Sequence, residues 1–146
     1  MPLPPSQMIC FALYSATHAM QQAYRPLLAE LGVTYPQYIV LSVLWQSDGP
    51  LTVGGIGRQV HLDSSTLTPL LKRLEAAGLI TRARDSEDER QVRVSLTAPG
   101  RALEGKAAHI PACIFDATGL SAADLARLHR EVAALADRLR DAPSPA

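Results

Sequence analysis

Between residues 53 and 97 the chain reads VGGIGRQVHLDSSTLTPLLKRLEAAGLITRARDSEDERQVRVSLT, and the order of segments in this stretch constrains the fold more than any other feature. A short helical segment runs from about Val53 to Val60, and a longer one from about Ser64 to Ala77. Asp63 or Ser64 serves as the N-cap of the longer one and Gly78 as its stop. Two helices joined by so short a turn make a helix-turn-helix. In the second helix Leu67, Leu70, Leu71 and Leu74 recur at helical spacing and must face a core, whereas Pro69 removes one intrahelical hydrogen bond and favours a bend. The segments LITRAR and QVRVSLT alternate in polarity and flank the polar DSEDER, which reads as a hairpin with a long exposed tip.

A helix-turn-helix followed directly by a hairpin is the winged-helix plan, mainly α with a small β-hairpin wing at about residues 80–96. In that plan one helix enters the major groove of double-stranded DNA and the hairpin tip approaches the minor groove or the backbone. Ser64, Ser65, Thr66 and Thr68 stand at the start of the reading helix, where side chains reach base edges and backbone amides meet phosphate. Lys72 and Arg73 follow one to two turns later as phosphate contacts. The wing holds Arg82, Arg84, Arg90 and Arg93. Arg84 and Arg90 are its DNA-contact candidates, Arg90 lies nearest the tip, and Asp88 is placed to brace that arginine or the turn. Charge does not carry this reading. Lys plus Arg equals Asp plus Glu at 14 each, and from Arg58 to Arg93 seven basic residues face six acidic ones. The order of elements carries it instead.

The flanking segments supply helices of another kind. Residues 6–31 form a long apolar helix whose only charged residues are Arg25 and Glu30, and so weak a polar face implies burial against a partner subunit. A second helix starts at about Pro36, capped by Thr34 or pre-organised by Pro36 itself, with Asp48-Gly49-Pro50 as its stop. Residues 98–118 and 121–141 read as two closing helices. The first carries Leu103, Ala107, Ile110 and Ile114, and the second Leu125, Leu128, Val132, Leu135 and Leu139. Ser121 and Asp124 mark a helix start, and the tail DAPSPA reads as disordered. The expectation is one domain over 1–146, with dimerisation helices at 6–31 and 98–141 and a DNA-binding lobe at 36–97. Neither a membrane-spanning run nor a signal peptide is indicated, so a cytoplasmic protein without membrane contact is expected. Cys10 and Cys113 match no metal spacing or disulfide framework and are expected as thiols. His18, His61, His109 and His129 are scattered without ligand spacing, so neither metal nor cofactor is expected.

The stretch LDSSTLTPLLKRLEAAGLITRARDSEDERQVRVSLTAPG resembles the winged helix of the MarR family of bacterial transcription regulators. The likeness is strongest in LKRLEAAGLI and in the wing pattern of Asp88, Arg90, Leu96 and Thr97. It implies a homodimer on a pseudo-palindromic operator, usually a repressor released by an effector, and not an enzyme. Within that family, CFALYSATHAM followed by YRPLL and LGVTYPQYIVLSVLW is similar to the organic hydroperoxide resistance regulators. That resemblance implies Cys10 as the thiol oxidised by organic hydroperoxide, Tyr24 and Tyr35 as the tyrosines that contact it, and Cys113 as a candidate resolving thiol.

Helix geometry limits how those roles can be met. Tyr24 follows Cys10 by fourteen residues, about 21 Å along a straight helix, so it cannot reach the sulfur of its own chain. An antiparallel partner helix would bring the two together. The thiolate is the reactive form, and two tyrosine hydroxyls can each donate a hydrogen bond to it. Oxidation would give a sulfenic acid that condenses with a second thiol. Phe11, Leu13, Met20 and Trp45 offer an apolar lining suited to organic peroxides, while Tyr14 and Tyr38 either line the same pocket or, the preferred reading, pack in the core. Cys10 as a buried small hydrophobe, and Cys113 as an inert thiol with an external thiol resolving Cys10, remain open readings. Other functions also stay open: a repressor released by a small aromatic ligand, a purely structural helical dimer, and a cysteine-dependent thiol peroxidase. Against the last, no basic residue or Thr-x-x-Cys arrangement surrounds Cys10.

Overall fold

The computed structural model describes residues 1–144; the last two residues of the DAPSPA tail lie outside the described residues. The chain divides into two compact units, one covering Met1–Ile110 and the other beginning at Pro111.

The first unit opens with a 3-10 turn at Pro5–Gln7 and α1 at Ile9–Leu31. The helix expected from residue 6 therefore starts later, because Met8 takes an extended conformation between the turn and α1. α2 (Tyr35–Trp45) begins at a capping box: the Thr34 hydroxyl accepts from the Gln37 amide at 3.4 Å, and Gln37 Oε1 accepts from the Thr34 amide at 3.0 Å. The chain then forms β1 (Leu51–Thr52), α3 (Val53–Val60), α4 (Ser64–Ala76), β2 (Ile80–Arg84), β3 (Val92–Leu96) and α5 (Ala98–Ala107). α4 runs unbroken past Pro69.

The three strands form an antiparallel sheet in the order β1-β3-β2, with Leu51 opposite Val94 and Ile80 opposite Leu96. β1 extends the expected hairpin to three strands, and two residues are too few to show an alternating pattern. Leu41, Ile56, Leu67, Leu71, Leu74, Ile80 and Val94 are fully buried, so the apolar stripe read on α4 faces the core.

Two glycines mark where backbones meet. A Cβ on Gly57 would stand 2.6 Å from the Leu62 carbonyl oxygen, and the Leu62 amide donates to the Gly57 carbonyl at 3.0 Å; this folds the helix-turn-helix turn back on α3. A Cβ on Gly100 would stand 2.0 Å from the Leu79 carbonyl oxygen, and Trp45 Nε1 donates to the Gly100 carbonyl at 3.0 Å. The end of α2, the start of α5 and the segment after α4 are thereby locked together.

The closing segment corrects one expectation. Residues 98–118 are not one helix but α5 followed by α6 (Ile110–Thr118), with a turn at residues 108–109. Pro111 has no N–H for the Ala107 carbonyl and its ring crowds that group, so a continuous helix would carry an unmet acceptor there. α7 (Ala122–Asp141) starts on Ser121, whose hydroxyl accepts from the Asp124 amide at 3.1 Å. No residue of α7 is buried, and Leu128, Val132 and Leu139 are exposed. α1 likewise exposes Ile9, Phe11, Tyr14 and Met20 and buries only Leu28 and Leu31. Tyr14, assigned to the core from sequence, is 64% exposed because the α1 face that bears it has nothing packed over it in the single chain; its ring edge meets His18 at 5.5 Å. Tyr38 does belong to the core, at 8% exposure. No single helix among the described residues is long and apolar enough to cross a membrane.

Candidate nucleic-acid interface and thiol site

The reading helix α4 starts on Asp63, which accepts from the Thr66 amide at 2.9 Å and from the Ser65 hydroxyl at 2.7 Å. The Ser65 hydroxyl first, then Thr66, hold the Asp63 carboxyl below its ordinary range. The Thr66 amide is thus already spent on a side chain. Ser64, Ser65, Thr66, Lys72 and Arg73 are exposed, and Thr68 is half-buried.

The wing is organised by its own carboxylates. Asp85, only 5% exposed, accepts from the Glu87 amide at 2.7 Å, the Asp88 amide at 3.4 Å and Arg93 Nε at 2.5 Å. The Glu87 amide first, then Arg93, lower its pKa. Asp88 accepts from the Arg90 amide at 3.1 Å and from Arg90 Nε at 3.0 Å, while the Arg90 side chain stays 90% exposed. Arg84 Nη1 donates to the Glu89 carbonyl at 2.8 Å, clasping the tip. Arg82 is turned to Glu75 of α4, with an Nη2 to Oε1 distance of 3.0 Å and its amide on Oε2 at 3.0 Å. Three of the four wing arginines, Arg82, Arg84 and Arg93, therefore hold the wing together, and Arg90 is tied to Asp88 near its tip.

A cleft of about 410 Å³ joins the pieces. Ser64 and Thr68 of α4 and Arg90 of the wing line it together with Gly54 and Arg58 of α3. Sequence reading counted Arg58 only as a charge; its place in the last turn of the first helix of the motif was the available signal. Asp85 was missed too, although an Asp directly after a strand and before a turn is a familiar backbone-capping position.

Cys10 and Cys113 are both exposed free thiols. Cys10 lies in the first turn of α1, and Cys113 lies in the first turn of α6 rather than late in a longer helix. Tyr24 and Tyr35 come together at the joint of α1 and α2, with ring centroids 5.0 Å apart, and Tyr38 stands 5.7 Å from Tyr24. Burial first, then the neighbouring Tyr35 and Tyr38, push Tyr24 up to about 12; burial followed by Tyr38 raises Tyr35. Both rings stay neutral hydroxyl donors throughout the physiological range. Of the expected apolar lining, Trp45 is buried, Leu13 is half-buried, and Phe11 and Met20 are exposed.

Comparison with known proteins agrees with this architecture. A family model described as transcriptional regulator SarA/Rot matches residues 22–105. The HTH-type transcriptional regulator TtmR of Methylorubrum extorquens is 50% identical over 131 residues, which cover 90% of this chain and 67% of TtmR. The organic hydroperoxide resistance transcriptional regulator of Bacillus subtilis is 47% identical over 131 residues, covering 90% of this chain and 88% of that protein. Among solved structures, AbfR of Staphylococcus epidermidis is 32% identical with a TM-score of 0.74, covering 92% of each chain. Reduced AbfR bound to DNA gives a TM-score of 0.77 at 33% identity, covering 91% of this chain and 92% of that one. Disulfide-formed AbfR gives 0.62 at 34%, covering 90% and 87%. These relatives are regulators and not enzymes, as the sequence leads one to expect. A winged helix with this reading helix and wing, matched along nine-tenths of its length by such relatives, places the chain in the MarR family of DNA-binding transcriptional regulators.

Proposed function

We propose that this chain is a homodimeric repressor that holds a pseudo-palindromic operator through α4 and the wing, and releases it when an organic hydroperoxide oxidises Cys10. The observation that carries the reading is the pair of touching, protonated tyrosines, Tyr24 and Tyr35, on the same helix system as an exposed thiol they cannot reach within one chain. Antiparallel pairing of α1 with α1 covers the exposed Ile9, Phe11, Tyr14 and Met20 and sets Cys10 of the partner subunit against this tyrosine pair. The two hydroxyls then stabilise the thiolate. Its sulfur attacks the terminal peroxide oxygen, the O–O bond breaks, and the alkoxide leaves and takes up a proton, giving a sulfenic acid and an alcohol. A second thiol condenses with the sulfenic acid, forming a disulfide and water. Cys113 is the chain's own candidate for that thiol. The 47% identity to the Bacillus subtilis regulator and the existence of disulfide-formed AbfR support the scheme.

The test is DNA binding by fluorescence anisotropy, on duplexes selected from random sequence, before and after one equivalent of cumene hydroperoxide. Wild-type protein should lose affinity at least about tenfold, a change of roughly 1.4 kcal/mol, and Cys10→Ser should bind equally before and after. Release of Cys10→Ser by peroxide would reject the sensing role. Non-reducing electrophoresis of oxidised protein should give a dimer-sized band that Cys113→Ser abolishes, and a monomer band alone would exclude the intersubunit bridge. Release by small aromatic ligands with Cys10 alkylated would favour the ligand-sensing alternative.

A further inference from the structure

The reading helix α4 has two unlike faces. Leu67, Leu70, Leu71 and Leu74 are buried, while Ser65, Pro69 and Lys72, at helical spacing, form an exposed stripe on the opposite side. Proline is the least favourable residue for a helix interior, yet one stands in the middle of that stripe and α4 continues past it to Ala76. Pro69 is exposed, so packing in the core does not account for it.

Its position has two consequences for the surface that α4 turns outward. Pro69 has no amide hydrogen, so the Ser65 carbonyl, four residues earlier, lacks the donor that a helix otherwise supplies. The Ser65 hydroxyl gives its own hydrogen to Asp63 Oδ1 at 2.7 Å, which leaves it only lone pairs to offer. The exposed surface at Ser65 is therefore an acceptor, and one turn further along stands the apolar proline ring. An A·T pair presents in the major groove both an amino donor, on adenine N6, and an apolar group, the thymine methyl. A G·C pair has an amino donor on cytosine but no methyl, and would leave the ring unmatched.

We infer that Ser65 and Pro69 read one A·T base pair as a unit, the adenine amino group donating to the Ser65 carbonyl and the thymine methyl packing on the Pro69 ring. The assignment rests on α4 entering the major groove. It adds a proline to the row of hydroxyl residues at the start of α4, and it commits Ser65, whose hydroxyl could otherwise donate or accept, to reading a donor.

The test scans a duplex selected from random sequence, with affinity read by fluorescence anisotropy for wild-type protein and Pro69→Ala. Each thymine is replaced in turn by uracil, which lacks the methyl, and each adenine by purine, which lacks the amino group. Each adenine and guanine is also replaced by its 7-deaza analogue, which lacks a major-groove acceptor. In wild type one A·T pair in a half-site should lose about fourfold with uracil and about tenfold with purine. Pro69→Ala regains the amide that closes on the Ser65 carbonyl and reduces the ring to a methyl, so at that pair both losses should fall below about twofold. Its thermal midpoint should not drop, since alanine is the better helix former. The inference is overturned if no A·T pair shows both losses in wild type, or if Pro69→Ala keeps either at more than about half its wild-type size; 7-deaza losses elsewhere in the site then show that α4 reads the groove through other residues. If no uracil, purine or 7-deaza substitution lowers affinity, the placing of α4 in the major groove falls as well.

Discussion

Asp85 turns a polar loop into a fixed wing. Its carboxylate meets two backbone amides and Arg93 at once, so Asp85→Ala should release all three. The expected outcome is faster hydrogen exchange at the Glu87 and Asp88 amides and a loss of DNA affinity of about tenfold, the scale of one lost charge-assisted contact. Titration gives the same group a sign. Its folded pKa lies below the unfolded value of about 3.9, so its contribution is complete above that pH and is lost as pH falls through the folded pKa. Exchange at these amides should therefore rise below about pH 4 in wild type and show no such step in Asp85→Ala. Tyr24 gives the opposite limit. Raised to about 12 in the fold, it contributes below its unfolded value near 10, and that contribution disappears as pH rises from 10 to 12. Alkaline unfolding followed by circular dichroism should shift upward in Tyr24→Phe, which has no proton to lose. Tyr24 was marked in the sequence by the family resemblance, whereas Asp85 sits among Glu87, Asp88 and Glu89 and looks like one more solvated charge, since its burial depends on where β3 returns.

At the scale of elements, the helix-turn-helix depends on close backbone approach. Gly57→Ala would drive a Cβ into the Leu62 carbonyl, a backbone atom that cannot swing aside, at a cost of about 1–3 kcal/mol. Trp45→Phe would leave the Gly100 carbonyl without its donor, at about 1–3 kcal/mol. Thermal melts should show both as lower midpoints. α3 and α4 were legible because each has its own cap, stop and apolar spacing, so local signals suffice. α5 and α6 were not separated, because Leu103, Ala107, Ile110 and Ile114 keep helical spacing across the break and Pro111 was the one contrary residue. β1 is invisible locally, since it exists only through its pairing with Val94 and Arg93.

The whole molecule is legible in outline, because amphipathic patterns state which faces need covering without naming what covers them. α1 exposes Ile9 and Phe11, α7 exposes Leu128, Val132 and Leu139, and these are the faces that the proposed dimer would cover. Ile9→Glu and Leu128→Glu place charges on already exposed positions, so each variant should keep the wild-type circular dichroism spectrum and, on the proposed dimer, sediment as a monomer at concentrations where wild type is expected to pair. Loss of the proposed dimer should lower their DNA affinity and make its dependence on salt shallower, as one reading head would replace two. One earlier feature also limits how such a regulator can be rebuilt. The start of α5 leaves no room at Gly100 for any side chain, and Trp45 fastens its carbonyl from across the fold. A transplanted reading head that ends at the wing would arrive without its socket. To install a new operator preference, residues 45 to 101 must be exchanged as one cassette, with the fastening tryptophan and its glycine inherited from the same donor.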